Sequence, residues 1–179
     1  MSIKHWKVLN TKRIRHNVRL DMCELPNGNT LEAMVLEFRP WVCVIALTPD
    51  QKVVLIRQYR HGAGDVVWEI PGGVVDAEDE NLEFAAKREL MEESGFAADK
   101  WVHLASLSPD PCSHNNKINS FLALDAHKVS DQDLDENEDI EVHLIPLDEV
   151  IKMARNSELP QSMQVSALFL ALAHLGRVA

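Results

Sequence analysis

The stretch GGVVDAEDENLEFAAKRELMEESGF, from Gly72 to Phe96, decides how the rest of the chain is read. It opens on a glycine turn and closes on Arg88-Glu89-Leu90-Met91-Glu92-Glu93-Ser94-Gly95-Phe96. Leu82, Ala85, Ala86 and Leu90 supply an apolar stripe at helical spacing, and Gly95 suits a left-handed stop, so 82–94 is predicted helical. On that helix Glu89 and Glu93 lie four residues apart on one face, with Glu92 three from Glu89. Like charges so placed cost an isolated helix ~0.2–0.5 kcal/mol per pair. Most acidic helix faces are simply solvated. This one is tied to a core stripe and follows a glycine loop, and that combination favours a hard divalent cation. Mg²⁺ takes one or two carboxylates and keeps positions for water and phosphate.

Outward from that stretch, the bulk properties describe one ordinary globular domain. The chain has 179 residues, 46% hydrophobic and 26% charged, enough for a sizeable core. A formal net charge of −10 without a basic stripe argues against nucleic acid as a partner. The same acidity makes a polyanionic substrate awkward without cations. Cys23, Cys43 and Cys112 are odd in number and widely spaced, which reads as free thiols and not as a disulfide framework or zinc site. The N-terminal MSIKHWKVLN has no apolar signal run, and the run Ala167–Leu172 is too short to span a bilayer. A cytoplasmic, non-membrane protein is the expectation.

Strand signals dominate the first half. Arg15–Leu25 and Leu31–Phe38 flank Asn27-Gly28, a hairpin turn pair. Trp41–Leu47 is nearly unbroken apolar sequence and reads as a strand buried on both faces, with Trp41 in the core. Lys52–Tyr59 and Val66–Ile70 follow as strands, then the acidic helix, then strands at Trp101–Ser106, Ile118–Leu124 and Ile140–Ile145. Asp131–Asp139 reads as an acidic loop, Leu147–Arg155 as a helix, and Ser162–Leu175 as a last helix opened by a serine cap. This order fits an α/β protein with a mixed sheet between helices. A single domain over 1–179 is expected, with 1–39 an N-terminal β segment and 40–179 the main α/β fold.

The stretch 73–96 resembles the Nudix box, G-x5-E-x7-R-E-U-x-E-E-x-G-U with U aliphatic. Glu80, Arg88, Glu89, Leu90, Glu92, Glu93, Gly95 and the hydrophobic Phe96 match in register. Six residues, not five, separate Gly73 from Glu80, an extra loop residue that is cheap and leaves the helix in phase. The resemblance covers roughly residues 40–155 and implies the Nudix α/β/α sandwich with an N-terminal β-hairpin segment. Leu55-Ile56-Arg57-Gln58-Tyr59-Arg60 with Trp68-Glu69-Ile70-Pro71-Gly72-Gly73, the Ser108-Pro109-Asp110-Pro111 loop, and Asp135-Glu136-Asn137-Glu138-Asp139-Ile140 are similar to the ADP-ribose pyrophosphatase branch.

By that resemblance, Glu89, Glu93, the Gly72 carbonyl and Glu138 would hold Mg²⁺, with Mn²⁺ a possible substitute. Arg88 would brace the glutamates and Glu80 close the same network. Glu136 would be the general base, unless Glu92 or Glu93 takes that role. Arg60, Gln58 and Glu69 would bind substrate. His114 and Lys117 read as loop decoration, and Trp6 receives no role. The implied reaction is hydrolysis of ADP-ribose or a related nucleoside diphosphate sugar to a nucleoside monophosphate and a sugar phosphate. The alternatives are GDP-mannose, a dinucleotide, or a non-catalytic ligand-binding module, which the complete set of box glutamates disfavours. A homodimer joined through the N-terminal β segment is the expected assembly.

Overall fold

The structure is a computed structural model and describes residues 4–178. It divides into two compact units: the residues through Arg39 together with Ser108–Lys117, and Pro40–Leu107 together with the residues from Ile118 onward. In the first unit, β1 (Lys7–Arg15), β2 (Val18–Glu24) and β3 (Thr30–Leu36) form an antiparallel sheet in that order. The β2–β3 turn is the predicted one. Gly28 there takes φ 86°, a conformation that glycine adopts without a Cβ penalty. β1 was not foreseen, because all nine of its residues are exposed and show no polar alternation. The Ser108–Lys117 loop also belongs to this unit, where the His114 ring stacks on Phe38 with centroids 5.5 Å apart.

In the second unit a mixed sheet runs β11 (Glu141–Pro146), β5 (Lys52–Arg60), β4 (Trp41–Leu47), β9 (Ile118–Leu124), β8 (Lys100–Leu107), with β6 (Asp65–Glu69) paired to β5. Only β4 and β9 are parallel; the other pairings are antiparallel. Helices cover both faces, as the α/β/α expectation requires. Val42, Val44, Ala46 and Val54 face α1 (Leu82–Ser94) through Ala85, Ala86 and Leu90. Cys43, Ile45, Val53 and Leu55 face α2 (Leu147–Arg155) and α3 (Ser162–His174) through Val150, Met153, Leu168 and Leu172. Alternate residues of one apolar strand thus feed two cores. Two short strands, β7 (Phe96–Ala97) and β10 (His127–Lys128), pair with each other and were not predicted.

Two details fix the site. Asn81 caps α1, its Oδ1 accepting from the Phe84 amide at 2.9 Å, and Gly95 ends it at φ 72°. The predicted serine cap of α3 is not observed. Gln161 is the cap residue and makes no side-chain cap bond, while Ser162 is already helical. The Gln161 side chain is committed to Glu69 instead. No helix among the described residues is long and apolar enough to cross a membrane.

Candidate active site

The Pro71-Gly72-Gly73 turn lies along β4: the Val44 amide donates to the Pro71 carbonyl and the Val42 amide to that of Gly73, each at 2.9 Å. Only glycine fits at position 72. Its φ is 154°, and a Cβ would sit 2.2 Å from the Val42 oxygen. At Gly73 a Cβ would meet the Glu89 carboxylate at 2.6–2.7 Å. The turn is therefore held close enough for the Gly72 amide to donate to Glu93 Oε2 at 2.7 Å. The Gly72 carbonyl, the predicted metal-facing group, accepts no hydrogen bond among the described residues.

α1 brings Glu89, Glu92 and Glu93 to one cavity of about 520 Å³, whose wall also includes Gln58, Arg60, Arg88, Asp133 and Glu138. Seven carboxylates line it against two guanidiniums. Glu89 is pushed up to about 7, chiefly by burial, against the pull of Arg88 and with Glu92 and Glu138 adding to the rise. Burial pushes Glu93 up to about 8, with Glu89 and Glu138 adding to the rise and the Gly72 amide opposing it. These are carboxylates destabilised as anions, short of positive charge. Arg88 is already spent: it bonds Asp79 in a fork, Nε to Oδ1 and Nη2 to Oδ2 at 3.0 Å each, and reaches Glu92 at 2.8 Å and Glu89 at 3.0 Å.

Asp79, and not Glu80, closes that network. The Asp79 side chain is 2% exposed, whereas Glu80 is exposed and makes no hydrogen bond or ion pair among the described residues. Counted forward from Gly73 with five intervening residues, the acid is Asp79; counted back from Arg88 it is Glu80. The extra residue lets the shorter Asp79 turn inward while Glu80 faces solvent.

Glu69 is fully buried and its carboxylate is occupied by protein donors. Its carboxylate accepts from Gln58 Nε2 at 2.9 Å, Arg60 Nε at 2.9–3.1 Å, Arg60 Nη2 at 2.8 Å and Gln161 Nε2 at 2.7 Å. Gln58 and Glu69 therefore act on Arg60, holding its guanidinium at the cavity wall. The acidic loop is anchored to α1, with Gln132 Nε2 donating to the Glu93 carbonyl at 2.6 Å and the Asp133 amide to that of Glu92 at 2.9 Å. It presents Asp133, Asp135 and Glu138 to the cavity, while Glu136 is exposed and lies outside the lining. Sequence reasoning missed Asp79, Gln161 and the loop acids Asp133 and Asp135; for Asp79 the glycine-based count was a usable signal.

No three His, Cys, Asp or Glu side chains among the described residues are already gathered into a metal cluster. The donors ring the cavity without converging, and they are carboxylate oxygens and an unused carbonyl, with no sulfur or imidazole. That set fits a hard cation which keeps part of its hydration shell.

The NUDIX domain pattern matches residues 37–164. The chain belongs to the NUDIX domain family. It resembles the ADP-ribose pyrophosphatase of Bacillus subtilis (strain 168), 29% identical over 137 residues, covering 76% of this chain and 74% of that protein. It also resembles the ADP compounds hydrolase NudE of Escherichia coli (strain K12), 31% identical over 149 residues, with 82% and 78% coverage. A crystal structure of an ADP compounds hydrolase superposes with a TM-score of 0.85 at 28% identity over 99% of this chain and 100% of that one. The protein is an enzyme, a Nudix hydrolase of the ADP-ribose pyrophosphatase-like branch. Hydrolases of this family generally use divalent metal ions.

Proposed function

We propose that this Nudix hydrolase cleaves the diphosphate bond of ADP-ribose or a related nucleoside diphosphate sugar, with Mg²⁺ as the preferred ion and Mn²⁺ as a substitute. The observation that carries the reading is Arg60, a cation fixed on the wall of a cavity otherwise crowded with carboxylates. A diphosphate needs both halves: Arg60 to take a phosphate oxygen, and cation-binding acids to neutralise the rest. Glu89, Glu93 and the Gly72 carbonyl would hold the ions. When bound, they supply charge neutralisation and an acidified water. Arg88, braced by Asp79, keeps Glu89 and Glu92 in place. Glu138 takes the proton of the attacking water from its position on the cavity wall, and Glu136 does so only if the loop turns. The products are a nucleoside monophosphate and a sugar phosphate.

A substrate panel with Mg²⁺ or Mn²⁺, read as phosphate released after phosphatase treatment, tests the reading. Glu93→Gln is expected to lower kcat by about 100-fold or more with the fold intact. Unchanged kcat in that variant would sink the assignment. Glu136→Gln and Glu138→Gln, compared side by side, separate the two candidate bases. GDP-mannose and dinucleotides belong in the same panel. A second copy of the chain is the proposed partner of the N-terminal sheet, which exposes Val8, Leu9, Ile14, Leu31 and Met34; sedimentation of a Leu9→Lys/Ile14→Lys variant as a monomer would support it.

A further inference from the structure

The C-terminal end of α1 has no basic residue in its last turn, and its carbonyls form the negative end of the helix dipole. An acidic segment is nevertheless held against that end. Residues 131–139 carry six carboxylates and no cation, and they border a cavity whose wall is itself acidic. Charge alone would push this segment away. The contacts that hold it are backbone and amide hydrogen bonds. The Val129 and Ser130 amides donate to the Gly95 carbonyl at 2.9 and 3.2 Å, and the Asp133 amide donates to that of Glu92 at 2.9 Å. Just before the loop, Lys128 Nζ reaches the Ser94 carbonyl at 3.4 Å. Gly95 permits the close approach, since a Cβ there would sit 2.2 Å from the Ser130 oxygen.

Gln132 joins both ends of the loop. Its Nε2 donates to the Glu93 carbonyl at 2.6 Å and to the Ile140 carbonyl at 3.1 Å. Two carbonyl acceptors assign that end of the side chain as the NH₂, with each hydrogen in use. The loop interior is bonded to itself: the Glu138 amide donates to the Asp135 carbonyl at 2.9 Å, and the Asp135 amide to Glu138 Oε2 at 3.1 Å. Asp135 and Glu138 therefore move as one body, and the place of that body relative to α1 is set where the loop is tied. Resting on the function proposed above, we propose that Gln132 is a positioning residue for hydrolysis, a neutral clasp that closes 133–139 against α1 and so sets Glu138 opposite the glutamates of the helix. It touches no reacting atom. Closing the loop in advance removes freedom that substrate and ions would otherwise have to take from it.

The test uses the full-length protein. Gln132→Met keeps the side-chain length and removes both donors; Gln132→Glu turns oxygens toward the two carbonyls and serves if the first variant does not fold. In metal-free protein, hydrogen exchange within 133–139 should quicken by about tenfold or more, while the amides of α1 keep their protection. With Mg²⁺ and ADP-ribose, kcat should fall by about tenfold or more at unchanged KM, because Arg60 is not on the loop. On the background of Glu138→Gln or Glu136→Gln, whichever loses turnover, the substitution should add little, since Gln132 acts through the loop acid. Lys128→Met removes a donor from the same helix end without touching the clasp, and should leave exchange and kcat as they are. Unchanged loop exchange in Gln132→Met would overturn the clasp. Faster exchange at unchanged kcat, a full further loss on the loop-acid background, or an equal loss in Lys128→Met would overturn the positioning role. If the wild type hydrolyses no diphosphate, the functional reading fails, while the exchange measurement tests the clasp independently of turnover.

Discussion

Glu69→Gln probes the part of the site where stability and substrate handling meet. The wild-type carboxylate is 0% exposed and takes four donor atoms from three side chains. A glutamine keeps one oxygen, and its NH₂ must face one of those donors. Removing one partner of a buried pair costs ~3–5 kcal/mol when the survivor stays buried. Here the Arg60 side chain is 45% exposed, so its guanidinium recovers hydration and the larger part of that penalty falls away. What remains is the loss of charge assistance and one stranded amide donor, ~2–3 kcal/mol together. For a chain of this length that is a Tm drop of about 5–10 °C. Arg60, freed of its fork, should also meet phosphate less well, raising KM by about tenfold. A cycle with Arg60→Met isolates the pair, and a coupling of about 1–3 kcal/mol is expected from chemical denaturation. Additive effects, or a Glu69→Gln protein within about 0.5 kcal/mol of wild type at unchanged KM, would refute the account of Glu69 as the group that fixes Arg60.

The offset in the box gives a paired comparison: Asp79→Asn should lower Tm and activity together, and Glu80→Gln should change neither, so the reverse pattern would restore Glu80 to the network. Gly72→Ala should cost about 2 kcal/mol or more, since its Cβ meets backbone at 2.2 Å and its φ is 154°. Gly73→Ala should instead keep the fold and lose activity, because the atoms it displaces belong to Glu89; equal Tm losses in the two variants would contradict this. The raised Glu89 and Glu93, at about 7 and about 8 against an ordinary 4.5, bind protons more tightly folded than unfolded. Their contribution to the stability of metal-free protein is therefore fully present below pH 4.5 and lost as pH rises through 7 to 8. Melting with EDTA should show that loss, the Tm gained on adding Mg²⁺ should grow over the same range, and Glu89→Gln/Glu93→Gln should flatten both trends.

The second unit was legible because its strands carry their burial in their residue types. Trp41–Leu47 faces two cores, so every position is apolar, and no other element type suits a run that short. α1 declared itself by its alanine and leucine stripe and its glycine stop. β1 escaped because a strand exposed along its whole length has no period to read. The α3 start was misread for a different reason. Serine at 162 carries the usual cap signal, but the residue before it has its side chain drawn 92 positions back along the sequence to Glu69, and a tertiary bond overrides a local preference.

The same distinction runs through the site. The convergence of Glu89, Glu92 and Glu93 on one cavity was readable because α1 fixes their spacing, and a helix turns spacing into geometry. Glu136 against Glu138 was not readable, because in a loop two residues' separation does not say which side chain faces inward. The turn in which the Glu138 amide donates to the Asp135 carbonyl brings Glu138 to the cavity and leaves Glu136 outside. The role of Glu69 in holding Arg60 was unreadable for a related reason. The Glu69 carboxylate on β6, bonded by Gln58 and Arg60 of the neighbouring β5, has its lone pairs used by protein donors, and only the partner at the α3 cap, Gln161, completes that set. Arg60 therefore owes its place on the cavity wall to Glu69, which Gln58 and Gln161 bond as well, and on the function proposed above its grip on a phosphate depends on how rigidly that set holds it.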